Sequence, residues 1–92
     1  MDLELAAEVV CAVARGILAT ERDAEKLKNV PLGNTVGRLL AMRGEAAAGE
    51  SDQHKLIVLA TALQRAKEGD LEAFWQLPDL VQKVREWFGL RH

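Results

Sequence analysis

Tyrosine is absent, and cysteine, proline and histidine are scarce, with one, two and two residues respectively. A lone thiol cannot cross-link its own chain, so no disulfide framework is available and a reducing, cytoplasmic setting is expected. Cys11 sits among Val9, Val10 and Val13, where a thiol behaves as a small hydrophobe of the core. His54 and His92 form no cluster with it, so neither a metal nor a cofactor is expected. No run of about 18 uncharged apolar residues occurs, which excludes a membrane-spanning helix. Asp2, Glu4 and Glu8 stand where a signal peptide would carry cations, so no secretory leader is expected either.

Catalytic equipment is equally thin. The local acid groups Glu4 with Glu8, Glu21 with Asp23 and Glu25, and Glu50 with Asp52 carry no sign of pairing across a cleft. The stretch Leu32-Gly33-Asn34-Thr35-Val36-Gly37 lacks the lysine and spacing of a phosphate loop. No nucleophile, base or metal set converges, so the chain is read as a non-enzyme without a small-molecule substrate.

The 92 residues allow one modest core, and residues 1–92 are expected to form a single helical domain. Apolar residues make up 49% of the chain, too many for intrinsic disorder. Alanine, leucine and valine dominate over the four aromatics, which favours helices over sheet. The expected fold is all-α, a compact bundle of five or six short helices.

Asp2 caps the first of these, with Leu5, Val9, Val13 and Ile17 recurring every four residues along one side. Thr20 and Asp23 resemble a capping box opening a short second helix that runs to about Asn29. Pro31 and Gly33 interrupt it, and Asn34 or Thr35 caps a third helix with Val36, Leu39 and Leu40 inward. Ala46 to Ala48 either extends that helix or forms a separate turn. Ser51 caps the next helix, whose run from Leu56 to Leu63 is apolar all round and predicts the most buried element. Gly69 ends it and Asp70 caps a short helix with Leu71, Phe74 and Leu77, which Pro78 is expected to break. Leu80, Val81, Val84, Trp87 and Phe88 then form a wide apolar stripe on a last helix closed by Gly89.

Charge supplies the first functional pointer. Residues 26 to 44 carry Lys26, Lys28, Arg38 and Arg43 and no acid, a local +4 within a chain of net charge −2. Cations without neighbouring carboxylates are what a polyanion meets. Arg22-Asp23-Ala24-Glu25-Lys26-Leu27, followed by Val30-Pro31 and by Asn34-Thr35-Val36-Gly37-Arg38-Leu39-Leu40, resembles the two helices of a helix-turn-helix DNA-binding module. The resemblance covers residues 22–43 and implies that Ala24 and Leu27 pack against Val36 and Leu40. It also implies base or phosphate contacts from Asn34, Thr35 and Arg38, with phosphate neutralisation by Lys26, Lys28 and Arg43. The connection from Leu27 to Val36 is longer than in the compact form of that module, and no hairpin wing follows Arg43.

The second pointer lies near the other end. Phe74, Trp75, Trp87 and Phe88 occur as two adjacent pairs, and adjacent residues cannot easily face one narrow core together. Trp75, Trp87 and Phe88 are therefore candidates for an interface, with Arg85 beside Trp87. Packing of both tryptophans across the bundle is the structural alternative. Double-stranded DNA, met through residues 26 to 44, thus stands as the leading expected partner, and the chain itself or another protein, met through the C-terminal aromatic helix or the apolar helix 56 to 66, as the runner-up.

Overall fold

The computed structural model describes residues 2–42 and 52–90. Arg43 and the alanines 46 to 48 lie outside the described residues, as does Ser51, the expected cap. The described residues form four α-helices and one 3₁₀ turn, and no strand occurs among them. They are α1 (Leu3–Thr20), a 3₁₀ turn (Lys26–Asn29), α2 (Gly33–Met42), α3 (Asp52–Lys67) and α4 (Leu71–Trp87). Five or six helices were expected, and two local features reduce the number.

The first is at the Thr20 junction. The Thr20 hydroxyl donates back to the Gly16 carbonyl at 2.9 Å, so it closes α1 instead of capping a new helix. Asp23 Oδ1 accepts from the Glu25 amide at 3.0 Å, and this local turn leads only into the four-residue 3₁₀ element. The second is at Pro78, which lies inside α4 without ending it. A proline removes one amide donor and crowds the preceding turn. Here the buried side chains on both sides of it, Phe74 and Leu77 before and Val81 and Val84 after, hold the helix continuous.

α2 starts at Gly33, so Asn34 and Thr35 lie inside it and neither is the expected cap, whereas the starts of α1 and α4 and the ends of α3 and α4 close as the sequence predicts. Asp2 Oδ1 accepts from the amides of Glu4 at 3.0 Å and Leu5 at 3.3 Å, satisfying donors that an isolated helix start leaves open. At the end of α3 the Asp70 amide reaches Arg65 O at 3.0 Å and the Gly69 amide reaches Ala66 O at 3.1 Å. That is a Schellman closure, which Gly69 permits with φ of 106°. Asp70 then turns its own carboxylate to the Ala73 amide at 3.2 Å and starts α4. Gly89, with φ of 62°, repeats the device after α4, where the Leu90 amide meets Arg85 O at 2.9 Å.

α3 and α4 form an antiparallel hairpin with the most extensive interface, α1 packs on both, and α2 lies against α3 and α1. α3 is the central element, burying Leu56, Ile57, Leu59, Ala60, Ala62, Leu63 and Ala66. The buried face of α1 is Ala6, Ala7, Val10, Cys11, Ala14 and Ile17, whose small side chains allow close helix approach. The fourfold series expected to line it runs along its edge instead: Ile17 is buried, Val9 and Val13 are half-buried, and Leu5 is exposed.

Candidate interaction surfaces

Lys26 and Lys28 are exposed on either side of Leu27, which is fully buried and anchors the turn. At three residues per turn, positions two apart point about 120° away from each other. Ala24 and Leu27 are buried, as are Val36 and Leu39, while Leu40 is half-buried. The turn packs against α3. The element before α2 is thus a single 3₁₀ turn where the resemblance implied a full helix.

On α2, Asn34 and Arg38 are exposed and Thr35 is half-buried. The helix begins at Gly33, so Asn34 and Thr35 lie within its first turn. Its remaining outward positions, Gly33, Gly37 and Ala41, carry little or no side chain. Thr35 and Arg38 border a hollow shared with Asp2, the cap of α1, and with Leu5 and Val9 of its first half. Gly33, about 7 Å back along the axis, lies beside Val13 instead. The cations therefore string out along α2 and the turn, and Arg38 faces a hollow that Asp2 also borders. None of Lys26, Lys28 and Arg38 pairs with a carboxylate among the described residues.

The aromatic candidates separate cleanly. Phe74 is buried, and Trp75 next to it is 71% exposed. Their rings meet edge to face, 5.4 Å between centroids at 77°. Trp87 is 50% exposed, whereas Phe88 is half-buried and packs against the core. Arg85 does not accompany Trp87 on the surface, because it is buried between α4 and α1. Within α4, Phe74 turns in and Trp75 out, and Phe88, the residue that closes the helix, is more covered than Trp87.

Three features escaped the sequence reading. Leu71 is 58% exposed, and with Trp75 and the exposed Pro78 it occupies positions i, i+4 and i+7, one ridge of α4. The periodicity was present in the sequence, but a break at Pro78 hides it. A groove of about 510 Å³ runs between α3 and α4, bordered by Val58, Thr61 and Arg65 on one side and Glu72, Gln76 and Leu80 on the other. Its floor includes the small side chains of Ala62 and Ala73. Arg85 joins Arg15 in facing Cys11, whose thiol is pushed above its ordinary value by burial and drawn back by the two guanidiniums.

No group of three or more potential metal ligands gathers among the described residues, and no helix there is long and apolar enough to cross a membrane. Comparison with protein-family models, with curated proteins and with solved structures finds no match.

Proposed function

We propose that this chain is a non-catalytic helical binding module whose α4 ridge, Leu71, Trp75 and Pro78, takes a protein partner. The observation that carries the reading is Trp75, 71% exposed yet braced edge to face on the buried Phe74. A large ring held in place loses little conformational freedom on binding, which is the property of an interface anchor. Leu71 and Pro78 flank it with apolar surface of matching spacing, and apolar surface gathered on one ridge favours a protein partner over a solvent-facing role.

A second reading keeps the helix-turn-helix resemblance: duplex DNA bound through Lys26, Lys28, Asn34, Thr35 and Arg38, with Arg43 outside the described residues. The exposure of three cations with no carboxylate paired to them supports it. The single 3₁₀ turn and the small residues at Gly37 and Ala41 favour the protein reading, since base edges are read by long polar side chains.

One experiment separates the two. The full chain and its Trp75→Ala variant are used to capture a partner from a lysate of the source cells, and the captured protein is titrated directly. Trp75→Ala is expected to cost about 2 kcal/mol of affinity, roughly thirtyfold. Undiminished binding overturns the ridge. Random duplex DNA at about 50 mM salt is the parallel arm. Binding there that Arg38→Ala weakens and Trp75→Ala leaves alone selects the DNA reading.

A further inference from the structure

The row of α4 beside the Trp75 ridge carries charge of one sign. Glu72 stands three residues before Trp75 and Asp79 four residues after it, so both carboxylates neighbour the ring on the helix surface. Glu86 continues the row seven residues on, and all three are exposed. Seven residues fall only about 20° short of two full turns, so the row runs alongside Leu71, Trp75 and Pro78 for roughly 21 Å. It lies on the side of the ridge turned away from α1, between the ridge and the groove-lining Gln76 and Leu80.

The cations nearby stand off that row. Lys83, the one exposed cation of α4, lies on the groove side of the acids, four residues after Asp79 and three before Glu86. It offsets them in part and leaves three carboxylates to one ammonium on the outward face of the helix. Arg65 of α3 borders the groove with Glu72 and Asp70, and Arg15 of α1 borders Pro78 on the opposite flank of the ridge. Glu68 and Asp70 add exposed acids at the Leu71 end. None of Glu72, Asp79 and Glu86 forms an ion pair among the described residues, and the hydrogen bond that Glu86 accepts comes from the neutral Gln82 at 3.1 Å.

We propose that the partner seated on the ridge is a basic segment, whose apolar side chains cover Leu71, Trp75 and Pro78 while its lysines or arginines meet Glu72, Asp79 and Glu86. The inference rests on the reading of the ridge as a protein-binding surface and names the chemistry of what binds there. Covering the ridge takes water from the carboxylates beside it, so a partner without cations leaves them unmatched and one with cations gains from them. A guanidinium that reaches Glu72 or Asp79 also comes within range of the Trp75 ring, whose face attracts cations. Docking of the ridge on its own copy is disfavoured. An antiparallel two-fold keeps each flank on its own side, so the acid row of one copy meets that of the other.

The probe is a displayed library of random peptides of about 15 residues, long enough to span the acid row as a helix. It is selected on the immobilised full chain, and the most enriched peptide is then titrated in solution. Enriched peptides are expected to combine an aromatic or aliphatic anchor with net positive charge. Trp75→Ala is expected to weaken the titrated peptide about tenfold. Glu72→Gln with Asp79→Asn is expected to weaken it about fivefold, an effect that shrinks as salt is raised. Glu4→Gln with Glu8→Gln, at two exposed acids of α1, makes the same change in net charge and is expected to leave the affinity unchanged. Circular dichroism verifies that every variant folds. Enriched peptides that need Trp75 but are neutral or acidic overturn the inference and leave the ridge standing. Basic peptides that the Glu72 and Asp79 changes leave alone, or that the α1 control weakens equally, do the same. Peptides indifferent to Trp75→Ala, or no enrichment at all, overturn the inference and the ridge together. Self-association of the full chain in sedimentation equilibrium, lost on Trp75→Ala, gives the ridge to a second copy and overturns the inference as well.

Discussion

Lys55 Nζ lies 5.0 Å from the centroid of the Trp87 ring, and the same ammonium is 3.5 Å from Asp52 Oδ1. The first turn of α3 is thereby tied to the last turn of α4. Because the chain links the two helices at the 68–70 connection, this contact lies at the far end of their packed interface, where the hairpin would fray first.

A cation over an aromatic face contributes about 0.5–1 kcal/mol where it is partly exposed. Lys55→Gln is accordingly expected to lower the unfolding free energy by roughly that amount. Trp87→Leu is expected to cost more, because ring contacts are lost along with the cation. A double-mutant cycle in urea isolates the shared part. A coupling indistinguishable from zero would show that the ammonium and the ring are neighbours without mutual stabilisation.

The interior proline offers a sharper stability test. Pro78 lies in the middle of α4, and proline inside a helix is less favourable than alanine by about 3 kcal/mol. Part of that is offset by the restriction proline imposes on the unfolded chain, about 0.4–1 kcal/mol. Pro78→Ala is therefore expected to stabilise the fold by about 2–2.6 kcal/mol, read as a rise in the urea midpoint at unchanged slope. The ring also borders a shallow hollow with Arg15 and Leu18 of α1. A loss of stability on substitution would mean that the proline shapes how α4 seats on α1.

The same residue shows where sequence reading reached and where it stopped. The signals that worked were local: Asp2, Gly69, Asp70 and Gly89 act at helix ends through their own backbone or carboxylate, and no distant residue has to be known. The apolar run from Leu56 to Leu63 similarly required a buried helix, because no single face could expose it. Pro78 and Thr20 failed for the opposite reason. Whether a proline ends a helix depends on how firmly the flanking turns are buried, and whether Thr20 caps forward or backward depends on which backbone carbonyl its hydroxyl reaches. On α1 a spacing of four residues describes a line that drifts around the helix, so Leu5 falls outside the contact while Ala6 falls inside. For the candidate surfaces, the lysines and Trp75 were legible as residues. The groove was not, since it arises from Ala62 and Ala73 of two helices meeting, and only their pairing makes the hollow.

Cys11 yields the pH dependence. Burial raises its thiol above the ordinary value of 9.0, and the guanidiniums of Arg85 and Arg15 work in the opposite direction without reversing it. The folded chain therefore holds the thiol proton more tightly than the unfolded chain does. The stabilisation linked to this proton is fully present below the unfolded value and is lost as pH rises through the folded one. Comparing the wild type with Cys11→Ala removes the contribution of every other titrating group. The difference between their unfolding free energies is expected to be constant below about pH 8 and to shift against the wild type above about pH 9. At neutral pH the alanine variant is expected to be less stable by about 1 kcal/mol, since a small buried side chain is truncated. A thiol-specific disulfide reagent supplies an independent reading, because a protonated, buried sulfur reacts only when the chain opens. Labelling in the native state should then follow the unfolding equilibrium across a urea series. Rapid labelling of the folded chain at neutral pH would place the sulfur at the surface and remove the basis of the pH argument.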